Sequence, residues 1–185
     1  LAVLITYMIS VRFKKSDITL ILILAGILIG TLFSSFISLL KYIADPYEKL
    51  PTITFWLMGS LSRVTMEDIH FIFLPVLIGV VPLYLLKWRL NIIAFGDEEA
   101  QALGIDTRKL RLIIILSSTL LTASVVSISG IIGWVGLLVP HLSRLLVGPN
   151  YRDLLPTSLL LGGSYLLFVD TLARVILPME IPLGI

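Results

Sequence analysis

The chain has 185 residues, 57% of them hydrophobic and only 14% charged, with a formal net charge of +2 and a mean hydropathy of +1.04. Soluble domains average about 45–50% apolar residues, and the longest apolar runs here lack the polar face that a soluble helical core requires. There is no cysteine, so thiol catalysis, disulfides and cysteine-bound metal are excluded, and the basic residues flank apolar runs as topology signals do, which argues against nucleic-acid binding.

A membrane-crossing helix needs roughly 20 mainly apolar residues. Leu1 to Val11 reads as the tail of one span, followed by Arg12, Lys14 and Lys15. Ile18 to Leu40 reads as a complete span, with Ser16 or Asp17 placed to cap its start. Inside it Gly26, Gly30, Ser34 and Ser38 recur every four residues. On a helix they form one slowly drifting stripe, suited to close helix packing or to the wall of a translocation pathway. Asp45-Pro46 marks a turn. Pro51 then opens an apolar segment that ends at Met58, too short to cross, with Trp56 suited to a membrane interface. Thr65-Met66-Glu67-Asp68 fits a capping box. It opens a span from Ile69 to about Leu86, where Pro75 and Pro82 predict a kink.

Lys87 to Arg111 is the longest polar stretch. Within it, residues 95–105 read as a short helix, with Asp97, Glu98 and Glu99 in the first turn and Gly104 at the C′ position. Its acidic polar face suits a protein partner better than anionic lipid. Asp106 is placed to cap the next span, Leu112 to Ile128. Ser129-Gly130 leaves almost no room for an aqueous loop, and Ile131 to about Leu146 is expected to return across, broken by Pro140. Gly130, Gly133, Gly136 and Pro140 interrupt this apolar run, and irregular backbone at membrane depth must be buried in protein or line a cavity. His141 reads as a hydrogen-bonded structural histidine near the cytoplasmic boundary. Leu154 to Val169 is the last complete span. Asp170 and Arg174 follow at i, i+4, as an intrahelical pair worth about 0.3–0.5 kcal/mol or as a docking point for an external partner. The chain starts inside an apolar run and stops just after Pro182, so it reads as a fragment truncated at both ends.

Orientation follows from the cations. Arg12, Lys14, Lys15, Lys87, Arg89, Arg108, Lys109, Arg111, Arg144 and Arg152 fall in one set of alternate loops, and Lys41, Lys49, Arg63 and Arg174 in the other. Ten against four makes the first set cytoplasmic. The fold class is all-α, a polytopic transmembrane helical bundle forming one domain over 1–185. Hydrolytic chemistry finds no support: His-Glu-x-x-His and Gly-x-Ser-x-Gly are both absent, and no metal or cofactor site is expected.

Several stretches together carry a family resemblance. Gly133-Trp134-Val135-Gly136-Leu137-Leu138-Val139-Pro140-His141-Leu142-Ser143-Arg144 resembles the glycine-rich proline-histidine signature of the iron-siderophore, haem and cobalamin permeases, the FecCD or type II importer family. Leu155-Pro156, Asp170-Thr171-Leu172-Ala173-Arg174 and Glu180-Ile181-Pro182-Leu183-Gly184 follow in the family's order, and Phe55 to Ser60 and Gly96 to Ile105 match upstream. Trp134 stands where these permeases commonly have phenylalanine.

The resemblance implies ten transmembrane helices per subunit, of which this chain is roughly the fourth to the ninth. It implies a homodimer in the cell inner membrane around a central pathway, two ATPase subunits below and a substrate-binding protein above. It makes Gly96 to Ile105 the loop that couples to the ATPase, with Gly96, Asp97, Glu98, Ala100, Leu103 and Gly104 as its contacts. It places Thr19 near a cytoplasmic gate and Arg174 at the binding-protein docking surface. The permease then performs no covalent chemistry, and ATP and magnesium belong to the partner. Ferric siderophore, haem, cobalamin and molybdate are all substrates within the family. Two rival readings are a secondary transporter, which would normally carry membrane-buried carboxylates or broken helices around coupling ions, and a non-transport membrane scaffold.

Overall fold

A computed structural model describes residues 2–12, 18–176 and 181–184, with side chains described at 2–9, 20–176 and 181–184. The expected caps Ser16 and Asp17, the Thr19 side chain and Glu180 lie outside the described residues. The architecture is all-α among the described residues. Two compact units are present, Leu1–Thr54 and Phe55–Ile185.

In the first unit α1 (Ala2–Arg12) packs against α2 (Ile18–Ile43). Ala25 is buried, and Ile21 and Ile29, one turn either side, are half-buried, giving the i, i+4 row of a packed helix face. Hydroxyls on α2 return to carbonyls in the preceding turn: Thr31 to Leu28 (2.8 Å), Ser35 to Thr31 (3.0 Å) and Ser38 to Ser34 (3.0 Å). Such bonds let polar side chains sit in an apolar helix without an orphaned donor. The Asp45 turn forms as expected, its carboxylate accepting from the Tyr47 and Glu48 amides at 2.9 and 3.0 Å. It leads into α3 (Lys49–Leu57), which at nine residues rises only about 14 Å.

In the second unit α4 (Met66–Leu85) starts at the predicted capping box. Thr65 Oγ1 accepts from the Asp68 amide and Asp68 Oδ2 accepts from the Thr65 amide. One continuous helix runs through Pro75 and Pro82. It pairs with α7 (Thr107–Ser129). They come close at Gly79, where an added Cβ would lie 2.6 Å from Leu121 Cγ and 3.1 Å from the Ser117 carbonyl oxygen. Between them come α5 (Lys87–Ile93), which follows α4 directly at Leu86, and α6 (Asp97–Ala102). The pair α8 (Val135–Val147) and α9 (Tyr151–Ile176) completes the unit, joined through buried Val139, with Gly162 opposite it.

The return after Ser129 differs from the sequence reading. Helix α8 begins at Val135, not Ile131, and runs unbroken through Pro140 to Val147. At 13 residues it rises about 20 Å, short of the roughly 30 Å hydrocarbon layer. Among the described residues four helices, Leu20–Ile43, Met66–Leu85, Thr107–Ser129 and Tyr151–Ile176, are long and apolar enough to cross a membrane. Their outer faces carry exposed Leu28, Phe71, Leu160 and many more large apolar side chains, whereas the buried positions are mostly small: Ala25, Ala100, Ser117, Ser129 and Ser143. Lipid replaces the missing hydrophobic core, and close backbone approach supplies the packing.

Candidate functional site

The polar stretch after α4 builds a small platform. Asp97, Glu98 and Glu99 occupy the first turn of α6, behind Gly96 (φ 128°). Ala100 is fully buried beneath the helix, whereas Leu103 is 68% exposed on its outer side and Phe95 is likewise exposed. The helix stops in a Schellman motif. The Ile105 amide reaches the Ala100 carbonyl at 3.0 Å and the Gly104 amide reaches Gln101 at 2.9 Å. Gly104 sits at φ 77°, a left-handed conformation that a side chain disfavours.

The six residues expected to act together are brought onto one helix and its turn, but they divide by face. Asp97 turns toward α7, where Arg111 Nη2 donates to both of its carboxylate oxygens at 2.9 and 3.0 Å, and its side chain stays partly exposed. Glu98 and Leu103 point outward. Arg111 was not legible as a partner because it is 14 residues away. Asp106 caps α7 through the Lys109 amide at 3.1 Å. That amide, with the Lys109 ammonium, holds the Asp106 carboxyl below its usual range. A depressed carboxyl stabilises the fold above the unfolded value, about 3.9, and the contribution fades as pH falls through the folded value.

A second polar link joins α5 to α9. Asn91 Oδ1 accepts from the Tyr151 amide at 2.8 Å, and Asn91 Nδ2 donates to Asn150 Oδ1 at 2.8 Å. Asn150 Oδ1 also accepts from the Arg152 amide at 3.0 Å. Sequence reasoning missed this pair. Asparagine one residue before a helix is an N-cap signal, so Asn150 was findable, but Asn91 was not.

The signature stretch makes a tight backbone junction with the loop after α3. Gly130 ends α7 at φ 68°, ψ −160°. The Ser60 amide donates to the Ser129 carbonyl at 2.8 Å, and the Leu183 and Gly184 amides donate to the Gly59 and Met58 carbonyls, each at 2.8 Å. Trp134 takes up a left-handed φ of 65° where α8 begins. Gly133 and Gly136 meet nothing within 4 Å of an added Cβ. Pro140 lies half-buried within α8. His141 is exposed, and its ring has no hydrogen bond to the described residues. Ser143, two residues on, is the buried polar group of this helix, and its Oγ has no partner among the described residues.

The small-residue stripe on α2 faces away from α1. Gly26, Gly30, Ser34 and Ser38 are exposed, and an added Cβ at either glycine would meet nothing within 4 Å. At the end of α9, Arg174 forks onto Asp170, with Nε–Oδ2 at 2.9 Å and a second bond at 3.3 Å, and its side chain keeps 47% exposure. Among the described residues no group of three or more His, Asp or Glu could hold a metal ion.

The FecCD transport family model matches residues 1–185. The molybdate import system permease MolB of Haemophilus influenzae is 46% identical over 179 residues, covering 97% of this chain and 53% of that protein. The hemin transport system permease HmuU of Yersinia pestis is 41% identical over 169 residues, covering 89% and 49%. A solved metal-chelate type ABC transporter in an inward-facing conformation superposes with a TM-score of 0.91 at 45% identity, over 98% of this chain and 57% of that one. The chain thus spans about half the length of the curated relatives it matches.

Proposed function

The chain belongs to the FecCD transport family, and from that premise we propose that it is the central part of the permease subunit of an ATP-driven importer in the cytoplasmic membrane. Residues 1–185 then belong to one membrane domain, paired with a second copy around a central pathway. The cargo is a metal chelate such as a ferric siderophore, haem or cobalamin, with molybdate the alternative suggested by the name of one relative. The observation that carries this reading is the α6 platform. It is seated through buried Ala100 and the Asp97–Arg111 ion pair, yet presents Leu103 and Glu98 outward on a helix stopped by a Schellman turn. Such a seat with an exposed apolar contact is what a lever for a partner ATPase requires. The stripe Gly26, Gly30, Ser34 and Ser38 suits the pathway or the subunit seam, and Thr19 the cytoplasmic gate.

The direct test uses the full-length permease in proteoliposomes with the ATPase encoded beside it. ATP-dependent uptake of haem, cobalamin, a ferric siderophore or molybdate is expected for one of these. Absence of any co-purifying ATPase would favour a secondary transporter or a scaffold.

Orientation supplies a separate expectation. With the cations divided ten against four, as the sequence reading has them, and with segment 130–134 and α8 together returning across the membrane, α6 is cytoplasmic and the α2–α3 turn is outside. Single cysteines at Glu98 and Lys49 should label from opposite faces of intact cells. Labelling of both from outside would reverse the assignment.

Arg174 is proposed to dock an acidic surface of the substrate-binding protein. A guanidinium fork orients as well as attracts a carboxylate, and charges at an interface rim act mainly on association rate and its salt dependence. Arg174→Glu should slow docking about tenfold at low salt and flatten the salt dependence, with Arg174→Lys less affected. Asp170→Asn is the control, because the pair is made in this structure. If Arg174 serves only the intrahelical pair, the two variants should match in stopped-flow association rates. If it docks the partner, Asp170→Asn should be the milder.

A further inference from the structure

We propose that Asn91 is a positioning residue that makes α9 move with the α6 platform, an inference that rests on the importer reading above. Asn91 lies on α5, five residues before the first turn of α6 closes around Gly96. Its carboxamide reaches across about 60 positions of sequence to the start of α9. The amide orientation is fixed by chemistry. The Tyr151 N–H can be met only by the oxygen, which leaves the nitrogen to donate to Asn150.

Local capping of α9 does not need this reach. Asn150 already serves the Arg152 amide with its side chain, and its backbone carbonyl accepts from the Asp153 and Leu154 amides at 3.1 and 2.9 Å. Asn91 adds a second cap from a different helix, and buried Ile92 and Leu154 lie beside the two ends of that link. The platform therefore holds two long helices by two separate polar contacts. Arg111 of α7 is held by Asp97, and the first turn of α9 is held by Asn91. Helix α9 has 26 residues, about 39 Å of rise, and ends at the Asp170–Arg174 pair. A displacement of α6 driven from one membrane face is thereby delivered along a rigid helix to the other.

The experiment is a distance measurement in the full-length permease assembled with its ATPase. The sequence contains no native cysteine in these 185 residues, so spin labels go to Ala102 on α6 and Leu160 on α9, both exposed. In the wild type the distance distribution should be narrow and the same with and without vanadate-trapped ATP. Asn91→Ala should broaden it and shift it by about 2 Å or more on trapping, the scale of helix displacements in switching proteins. Asn91→Asp keeps the acceptor for the Tyr151 N–H, in a position where the helix dipole favours a carboxylate, but sets a second acceptor against Asn150 Oδ1, and its distribution should fall between those of the wild type and Asn91→Ala. An Asn91→Ala distribution equal to the wild type in both states would overturn the proposal, as would a wild-type distance that itself changes on trapping. Failure of the wild type to bind ATPase or trap nucleotide would instead remove the importer reading beneath it.

Discussion

On the proposed role of α6, Leu103→Asp is expected to weaken ATPase association about 10- to 100-fold while leaving the fold intact, because a carboxylate buried without a partner at an apolar contact costs a few kcal/mol. The side chain is 68% exposed and stands at the C-cap of α6, outside the packing of this chain. Substitutions at such positions usually change stability by no more than about 0.5 kcal/mol. The same site should then be silent in a thermal-stability scan of the isolated permease and severe in a titration of ATPase binding. Gly104→Val gives a second view, since a β-branched residue is strained at φ 77°. It should loosen the turn behind Leu103 and lower binding with some loss of stability. Wild-type ATPase affinity in Leu103→Asp would take α6 out of the coupling role.

Gly130→Ala should be among the most damaging single-methyl additions in the chain, costing about 3 kcal/mol or more and preventing accumulation of folded protein. Two effects add. At φ 68°, ψ −160° the backbone is in a region essentially restricted to glycine. An added Cβ would also strike the Trp56 carbonyl oxygen and lie 3.0 Å from Gly59 Cα. Both obstacles are backbone, so no rotamer change relieves them. Gly133→Ala, three residues away in the same glycine-interrupted run, is the internal control: nothing lies within 4 Å of its added Cβ, and it should express and unfold like the wild type. Thermal inactivation in detergent and yield of monodisperse protein report both. Equal behaviour of the two variants would show that the junction with the α3 loop does not govern folding here.

That contrast marks the limit of what the amino-acid order carries. In the sequence Gly130 and Gly133 are two glycines interrupting one apolar run, and hydropathy does not separate them. Only the approach of the Trp56–Ser60 segment, some 70 positions earlier, makes one indispensable. The same holds for the start of α8. Ile131 to Leu138 is apolar enough to be helical throughout, but the extended turn at Gly130 and the left-handed Trp134 delay the helix to Val135. The stripe Gly26, Gly30, Ser34 and Ser38 on α2, suited to packing or to a pathway wall, meets nothing within this chain at its glycines, and the tight glycine contact between long helices of this chain is at Gly79 of α4 against Ser117 and Leu121 of α7.

The features that were legible are those decided within one or two helical turns. Span positions follow from the free energy of placing apolar residues in lipid, summed along the segment. The Thr65 capping box, the Asp106 cap and the Gly104 stop follow from unsatisfied amides and carbonyls at helix ends, which nearby side chains and turns must meet. The order of the motifs carried the family. By itself, then, the sequence determined an all-α chain with long apolar helices, a capped acidic helix between two of them, and the FecCD membership that the family match shows. The tertiary structure alone decided which glycines are indispensable, that Asp97 is tied to Arg111, and that Asn91 caps a helix 60 residues away. Those depend on pairwise geometry between distant segments, and local hydropathy and capping rules hold no information about which distant partner a polar group will find.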